Sequence, residues 1–180
     1  MTAFGAQTRR IFEVRRRPGN PAQGIVSAGG RSWPCALGKG GVRGFKREGD
    51  GATPAGDLQV LYGWFRRDGI VTRRTPLTLI PIRADDGWCD APADRNYNRP
   101  IRLPYAASHE RLRRDDQLYD ICIVLDWNLR PRRRGRGSAI FFHLARPGYT
   151  PTQGCVAVGR AVMARLLPRL SRATALKVTR

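Results

Sequence analysis

The chain has 180 residues, of which 41% are hydrophobic, and this suffices to bury the core of one domain without disulfide cross-links. Its 33 Lys and Arg outnumber 14 Asp and Glu, so the formal net charge of +19 attracts polyanions such as nucleic acid, anionic lipid or acidic wall polymers. No run of about eighteen apolar residues is present, which excludes a membrane-spanning helix. We therefore predict a single domain over residues 1–180.

The amino-terminal segment, Met1–Asn20, lacks the apolar core of a secretion signal. Ile11, Phe12 and Val14 are too few large apolar residues ahead of the arginines that follow. Taken alone, this segment predicts a cytosolic protein.

Short apolar segments bounded by Gly and Pro predict a mainly β fold, because many short strands need many turns. The segment Leu58–Trp64 alternates apolar residues with period two, and Leu118–Leu125 is a continuous apolar run typical of a buried central strand. The other predicted strands lie at Phe12–Val14, Ile25–Val26, Trp33–Leu37, Leu77–Ile82, Ser138–His143 and Leu176–Val178.

A helix is predicted near the end of the chain. Within Arg160–Leu170, Val162, Leu166 and Leu170 recur at helical spacing. The predicted fold class is mainly β, with mixed sheets or a β-sandwich and one or two short helices.

Two loops are rich in turn residues. Gly38–Gly41 contains three glycines, which predicts a tight turn or a backbone that lies close to another segment. Its spacing does not match a phosphate-binding loop. Asp50–Asp57 is a second turn, leading into the strand at Leu58.

The four cysteines have no C-x-x-C spacing, which argues against a zinc site. Cys122 lies in the apolar run and is predicted to be an inert core thiol. Cys35 and Cys89 would pair only if their Cα atoms came close in an oxidising compartment, and the sequence leaves this open. The arginine cluster Arg130–Arg136 has no interleaved aromatics, so it favours a solvated surface over a base-stacking site.

The segment from His143 to Val158 carries the candidate chemistry. A histidine ends one predicted strand, and Gly154-Cys155 follows a Pro-rich turn. A cysteine nucleophile needs a neighbouring imidazole that accepts its proton, and backbone amides that stabilise the oxyanion. The spacing alone also fits a buried cysteine and a structural histidine.

This segment resembles the catalytic signature of the L,D-transpeptidase family, the YkuD-type domain, in which a histidine precedes a Ser/Thr-x-Gly-Cys-Val/Ile block, here Thr152–Val156. The turn Gly51–Leu58 is similar to the family's Thr-Pro-x-Gly turn. The pieces Gly87–Asp90 and Tyr97–Arg99 resemble a proteobacterial branch of the family. The resemblance extends from about Leu37 to Arg169.

The resemblance implies that Cys155 is the nucleophile, that His143 is its base and later its acid, and that the amides of Gly154 and Cys155 form the oxyanion hole. It implies a thioester on the L-centre of a donor peptidoglycan stem, typically diaminopimelate, which the amine of an acceptor stem resolves. It further implies that no cofactor or metal takes part, and that the enzyme shapes the cell wall and is acylated by carbapenems.

Two positions depart from the family pattern. Leu144 replaces the glycine that often follows the histidine, and the connection to the cysteine is short. Ala157 stands where the family commonly has an arginine. Arg146 is a candidate replacement, because a guanidinium grips a carboxylate in a bidentate way.

Other candidate substrate-binding residues are Tyr149, Thr152 and His109. The segment Ser108-His109-Glu110 is similar to one in the proteobacterial branch. His109 either lines the cleft or is a loop histidine that bonds its neighbours.

Two alternatives remain open. With water as acceptor, the same Cys-His pair would make an L,D-carboxypeptidase or endopeptidase. A basic nucleic-acid-binding protein is the reading from another class, although no specific nucleic acid is expected. The family implies a periplasmic or wall-associated protein that acts on stem peptides, and the charge would favour an anionic wall or membrane surface.

Overall fold

A computed structural model describes residues 9–69 and 74–180, so Met1–Thr8 of the segment assessed for export lie outside the described residues. The predicted mainly β class is confirmed. The strands are β1 Arg10–Arg17, β2 Asn20–Ala28, β3 Arg31–Ala36, β4 Val42–Arg43, β5 Thr53–Pro54, β6 Gly56–Phe65, β7 Leu79–Pro81, β8 Asp86–Cys89, β9 Arg99–Arg102, β10 His109–Arg111, β11 Ile121–Leu125, β12 Phe141–Leu144, β13 Val156–Val158 and β14 Thr174–Thr179.

The predicted helix is α1, Arg160–Leu166, followed by a 3₁₀ turn at Leu167–Arg169. It ends earlier than the predicted Leu170 because Pro168 has no backbone N–H to continue the helical pattern. Another 3₁₀ turn lies at Pro147–Tyr149. No helix in the described part of the chain is long and apolar enough to cross a membrane.

The largest sheet closes on itself. Its nine strands run in the order β11-β12-β13-β3-β2-β1-β14-β6-β7, and β6 also pairs with β11. Residues Val60–Phe65 of β6 pair with β11, whereas Gly56–Gln59 pair with β14. Eight strands therefore form a ring, and β7 extends it beside β6.

Alternation along the strands separates two cores. Phe142 and Leu144 of β12 and Val156 and Val158 of β13 belong to the main apolar cluster, which also holds Met163 of the helix. Their neighbours on the same strands face the other side of the sheet, because side chains alternate along a strand.

A second apolar cluster covers that other face. Trp88 of β8 packs edge-on against Trp64 of β6 and Phe141 of β12, with ring centroids 5.8 and 5.3 Å apart. The small antiparallel sheet β10-β8-β9 therefore lies over the part of the ring that carries Cys122, Phe141 and Cys155.

Several predicted bounds differ from the structure. Ser138–His143 was predicted as one strand, but β12 begins only at Phe141 and continues to Leu144. Ala139 has a positive φ of 51°, which is incompatible with a strand. The predicted strand Leu118–Leu125 begins at Ile121, after a turn.

All four cysteines are free and buried. Cys35 lies in the main core and Cys89 in the small sheet, so the disulfide left open by the sequence is not formed. Burial raises the pKa of Cys35 to about 12. Cys122 is fully buried in the second cluster, and burial also raises the pKa of its thiol.

Candidate active site

The two glycine-rich turns meet beneath the loop that carries Cys155. A Cβ at Gly38 would overlap the carbonyl oxygen of Gly51, and the short strands β4 and β5 pair in parallel beside this contact. The Gly38 N–H donates to the buried Thr53 hydroxyl at 2.8 Å. The glycines therefore permit the close backbone approach that was one of the two predicted roles.

The Thr-x-Gly-Cys block is held by two threonine hydroxyls. Thr152 accepts the Gly154 N–H at 3.1 Å and donates to the Cys155 carbonyl at 2.7 Å. Thr53 donates to the same carbonyl at 3.4 Å. Gly154 has a φ of 135°, and a Cβ there would lie 2.8 Å from the Ala52 oxygen. The backbone of Cys155 is therefore held by the Thr152 and Thr53 hydroxyls, and the backbone of Gly154 packs against Ala52.

This arrangement bears on the predicted oxyanion hole. The Gly154 amide already donates to Thr152, so it reaches an oxyanion only by exchanging that partner. The role of the Gly154 and Cys155 amides stays a prediction.

His143 of β12 and Cys155, which directly precedes β13, have side chains on the same face of the sheet. His143 pairs with Ala157 in the parallel register of β12 and β13, and Cys155 is two residues before Ala157. Side chains two apart on a strand share a face. Both line one pocket of about 110 Å³, where their exposed fractions are 5% for His143 and 6% for Cys155.

The thiol is bonded to the backbone in this conformation. Sγ donates to the Ala139 carbonyl at 3.2 Å and accepts the Phe141 N–H at 3.3 Å. Burial raises the pKa of Cys155 to about 12, and the Glu110 carboxylate nearby acts in the same direction. The resting sulfur is therefore a neutral thiol, and a nucleophilic role would require a base to take its proton.

The imidazole of His143 is oriented by a contact with the backbone. Its Nδ1 lies 2.8 Å from the Leu144 carbonyl oxygen. A carbonyl can only accept, so Nδ1 carries the proton and Nε2 is left with its lone pair. Burial lowers the pKa of His143 to about 4, and the imidazole is therefore neutral at neutral pH.

The Ala139 carbonyl that accepts the thiol is positioned by a buried asparagine. Asn98 Oδ1 accepts the Ala139 N–H at 3.1 Å and the Trp88 Nε1–H at 3.0 Å. Its Nδ2 donates to the carbonyls of Trp127 and Asn128. Asn98 therefore connects the small sheet to the backbone around Cys155.

Three further polar residues of the pocket were not predicted. Glu110 Oε2 accepts the Tyr119 hydroxyl at 2.6 Å, and burial raises the pKa of Glu110. The Tyr119 ring packs edge-on against His143 with centroids 5.1 Å apart. The Arg114 guanidinium lies 5.2 Å from the centre of the same ring. Tyr119 therefore contacts the Glu110 carboxyl group, the His143 imidazole and the Arg114 guanidinium.

The predicted substrate-binding residues separate into two groups. Arg146 and Thr152 line the pocket, and Arg146 is paired with Asp116 at 2.9 Å. Tyr149 and His109 are not among the lining residues. The Tyr149 hydroxyl lies against Gly159, and His109 Nδ1 lies 2.7 Å from the Ala107 oxygen.

The segment Ser108-His109-Glu110, from which His109 was predicted to bind substrate, therefore contributes Glu110 to the pocket instead. His109 and Glu110 are neighbours on β10, so they point to opposite faces. The signal for Glu110 was present in Ser108-His109-Glu110, but the facing of this strand could not be known without its pairing to β8.

One known family model covers most of the chain. The sequence model of the L,D-transpeptidase catalytic domain, YkuD, matches residues 22–178. The chain belongs to the L,D-transpeptidase catalytic-domain family. Searches of curated proteins and of solved structures give no match. The family resemblance is confirmed, whereas the proteobacterial branch stays a prediction.

Proposed function

We propose that this L,D-transpeptidase family member forms peptidoglycan cross-links through a thioester on Cys155. The observation that carries the proposal is the pocket that Cys155 and His143 share, together with the Nδ1 contact to the Leu144 carbonyl that assigns the lone pair to Nε2. Members of the family act on peptidoglycan stem peptides, and this fits the substrate.

In the first half-reaction, the sulfur attacks the carbonyl of the L-centre in a donor stem while Nε2 of His143 takes the thiol proton. The tetrahedral oxyanion collapses, the C–N bond breaks, and the imidazolium returns the proton to the leaving amine of the D-residue. A thioester and a free D-amino acid result.

In the second half-reaction, the amine of an acceptor stem attacks the thioester, and His143 accepts a proton from that amine. The C–S bond then breaks, and the proton returns to the sulfur. Water in place of the amine would give the trimmed stem of a carboxypeptidase.

The pocket holds both basic and acidic side chains, which suits a stem peptide that carries both carboxylates and an amine. Arg114 and Arg146 line the pocket, and Glu110 is a carboxyl group of the same pocket. A guanidinium binds a carboxylate through two parallel hydrogen bonds. We propose that Arg146 substitutes in part for the cation absent at Ala157.

Location follows from the substrate. Peptidoglycan lies outside the cytoplasmic membrane, and we propose a periplasmic or wall-associated protein. The net charge of +19 favours contact with the anionic wall.

The direct test is incubation with purified tetrapeptide muropeptides, with products resolved by mass spectrometry. The wild-type protein is expected to give dimers, and Cys155→Ala is expected to give none. Dimers from Cys155→Ala would refute the thioester. Trimmed monomers without dimers from the wild-type protein would assign the hydrolase instead.

A further inference from the structure

A large groove lies on the same outer face of the ring as the catalytic pocket, further along the sheet. Its volume is about 720 Å³. Tyr62 and Ile80 form part of its apolar floor, and Ile80 is 42% exposed. Its cationic residues are Arg99, Arg130, Arg132 and Arg172, and this set is called the arginine groove below.

The segment that carries two of these arginines is held firmly. Asn128 Nδ2 donates to the carbonyls of Arg133 and Gly137 at 2.9 and 2.8 Å, and its Oδ1 accepts the Arg133 N–H at 2.8 Å. The neighbouring Trp127 ring donates to the Arg136 carbonyl at 2.9 Å. The loop around Arg130 and Arg132 is therefore fixed through its backbone, which leaves the guanidinium groups available.

The same network brings like charges together. Asn98 Nδ2 binds the carbonyls of Trp127 and Asn128, which places Arg99 of β9 beside the arginine loop. Burial and the positive charge of Arg99 lower the pKa of Arg132. Arg99 and Arg132 line the same groove, and two guanidinium groups placed there favour an anion between them.

No carboxylate of the described residues neutralises this set. None of the four arginines takes part in an ion pair within residues 9–69 and 74–180. Asp126 is the one acidic residue that lines the groove, and its Oδ1 accepts the Gln59 N–H at 2.8 Å. The arginines at the catalytic pocket differ, because Arg114 and Arg146 are both paired with Asp116.

A continuous row of paired residues connects the two sites. His143 pairs with Cys122, Cys122 with Trp64, and Trp64 with Ile80. Three strand spacings of about 4.8 Å separate the ends of this row, so the groove begins roughly 14 Å from His143. A polymer that spans this distance can contact both sites at once.

The catalytic pocket alone is too small to hold such a polymer. Its volume is about 110 Å³, compared with about 720 Å³ for the groove. A site of roughly 300 Å³ or more is usual for a bound ligand of drug size. The pocket therefore admits only the reacting end of a stem, and further binding energy must come from remote contacts.

We propose that the arginine groove docks a second, non-reacting stem peptide of the same peptidoglycan substrate, whose free carboxylates bind Arg99 and Arg132. The inference rests on the proposed function for its substrate. The groove thereby holds the polymer while the catalytic pocket acts on another stem.

Binding without turnover tests the docking site. Full-length protein carrying Cys155→Ala is co-sedimented with purified peptidoglycan sacculi over a range of NaCl concentrations. Adding Arg99→Glu and Arg132→Glu is expected to raise the protein concentration at half-saturation about tenfold or more, because two charge contacts are reversed. The control pair is Arg15→Glu and Arg31→Glu, which changes the net charge equally on exposed positions of β1 and β3.

The control pair is expected to weaken binding by about twofold or less, since distant exposed charges are screened by salt. The variant with Arg99→Glu and Arg132→Glu is called the groove pair. Equal losses in the groove pair and the control pair, or unchanged binding in the groove pair, would overturn the proposal. So would a groove pair that loses duplex DNA binding but keeps sacculus binding. Amidation of the sacculus carboxylates should remove the difference between the groove pair and its control.

A second measurement separates this proposal from the proposed function. With Cys155 intact, the groove pair should retain its kcat on a short soluble stem and lose rate on sacculi. If the wild-type protein makes no product from any stem, the proposed function fails, whereas the binding result still decides whether the groove docks the polymer.

Discussion

The pocket of Cys155 and His143 and the arginine groove share one face of the sheet, but their charged groups are arranged differently. In the pocket, the thiol and the imidazole are buried and neutral, and its arginines are paired with Asp116. In the groove, four arginines stand without carboxylate partners among the described residues. The pocket suits chemistry that must begin with proton transfer, whereas the groove suits binding of an anionic polymer.

The first prediction concerns the neutral pair in the pocket. If the resting thiol relies on His143, replacement by Gln should slow acylation of Cys155 by a carbapenem by about 10²- to 10⁴-fold, the usual contribution of a general base. Intact-mass spectrometry over time measures the acyl-enzyme. An unchanged rate in His143→Gln would show that the sulfur is activated without the imidazole.

The groove supplies the control for this measurement. Arg132→Gln removes a charge outside the pocket and should leave the acylation rate within about twofold of the wild type, since screened charges at this distance act weakly. A large loss of acylation rate in Arg132→Gln would show that the charge in the groove acts on the chemistry in the pocket.

The second prediction concerns pH and stability. The pKa of His143 is about 4 in the folded protein and 6.5 ordinarily. Between these values the unfolded chain takes up a proton that the folded chain excludes, so the free energy of unfolding should fall as pH drops from 6.5 towards 4. The loss amounts to about 3 kcal/mol.

Urea denaturation between pH 7 and pH 4 tests this expectation. His143→Gln has no imidazole to titrate, so the difference in unfolding free energy between wild type and variant should shrink or reverse by about 3 kcal/mol across the window. Parallel curves for the two proteins would contradict a buried neutral histidine. Arg132→Gln should follow the wild-type curve.

Much of the fold could be predicted because strand signals are local. Alternation at Leu58–Trp64 and the apolar run near Ile121 identified β6 and β11 from their own residues. Closure of the ring could not be predicted, because β6 changes partner from β14 to β11 along its length. That choice depends on contacts far apart in the sequence.

The site divides in the same way. His143 and Cys155 stood out because they flank one short connection with a family signature. Glu110 and Asn98 contact the site through Tyr119 and Ala139, which lie in the segments just before β11 and β12. Their roles depend on how the small sheet lies over the ring, and a single sequence does not encode that placement in any local pattern.

The smallest predicted effect distinguishes a buried hydroxyl in the pocket from a hydroxyl in the groove. Tyr119→Phe removes the donor to Glu110, a buried carboxyl whose pKa is already raised by burial. Loss of one partner of a buried hydrogen bond costs about 1–3 kcal/mol. Chemical denaturation at pH 7 should show a loss of stability in this range.

Tyr62→Phe is the matched control, because the Tyr62 ring lines the groove and its hydroxyl makes no hydrogen bond within the described residues. It should change stability by less than about 0.5 kcal/mol, as is usual away from buried polar contacts. Equal effects of the two substitutions would mean that the Glu110–Tyr119 contact adds nothing beyond the packing of the rings. A larger effect of Tyr119→Phe on acylation than on stability would instead place the hydroxyl in the positioning of His143, against which the Tyr119 ring packs.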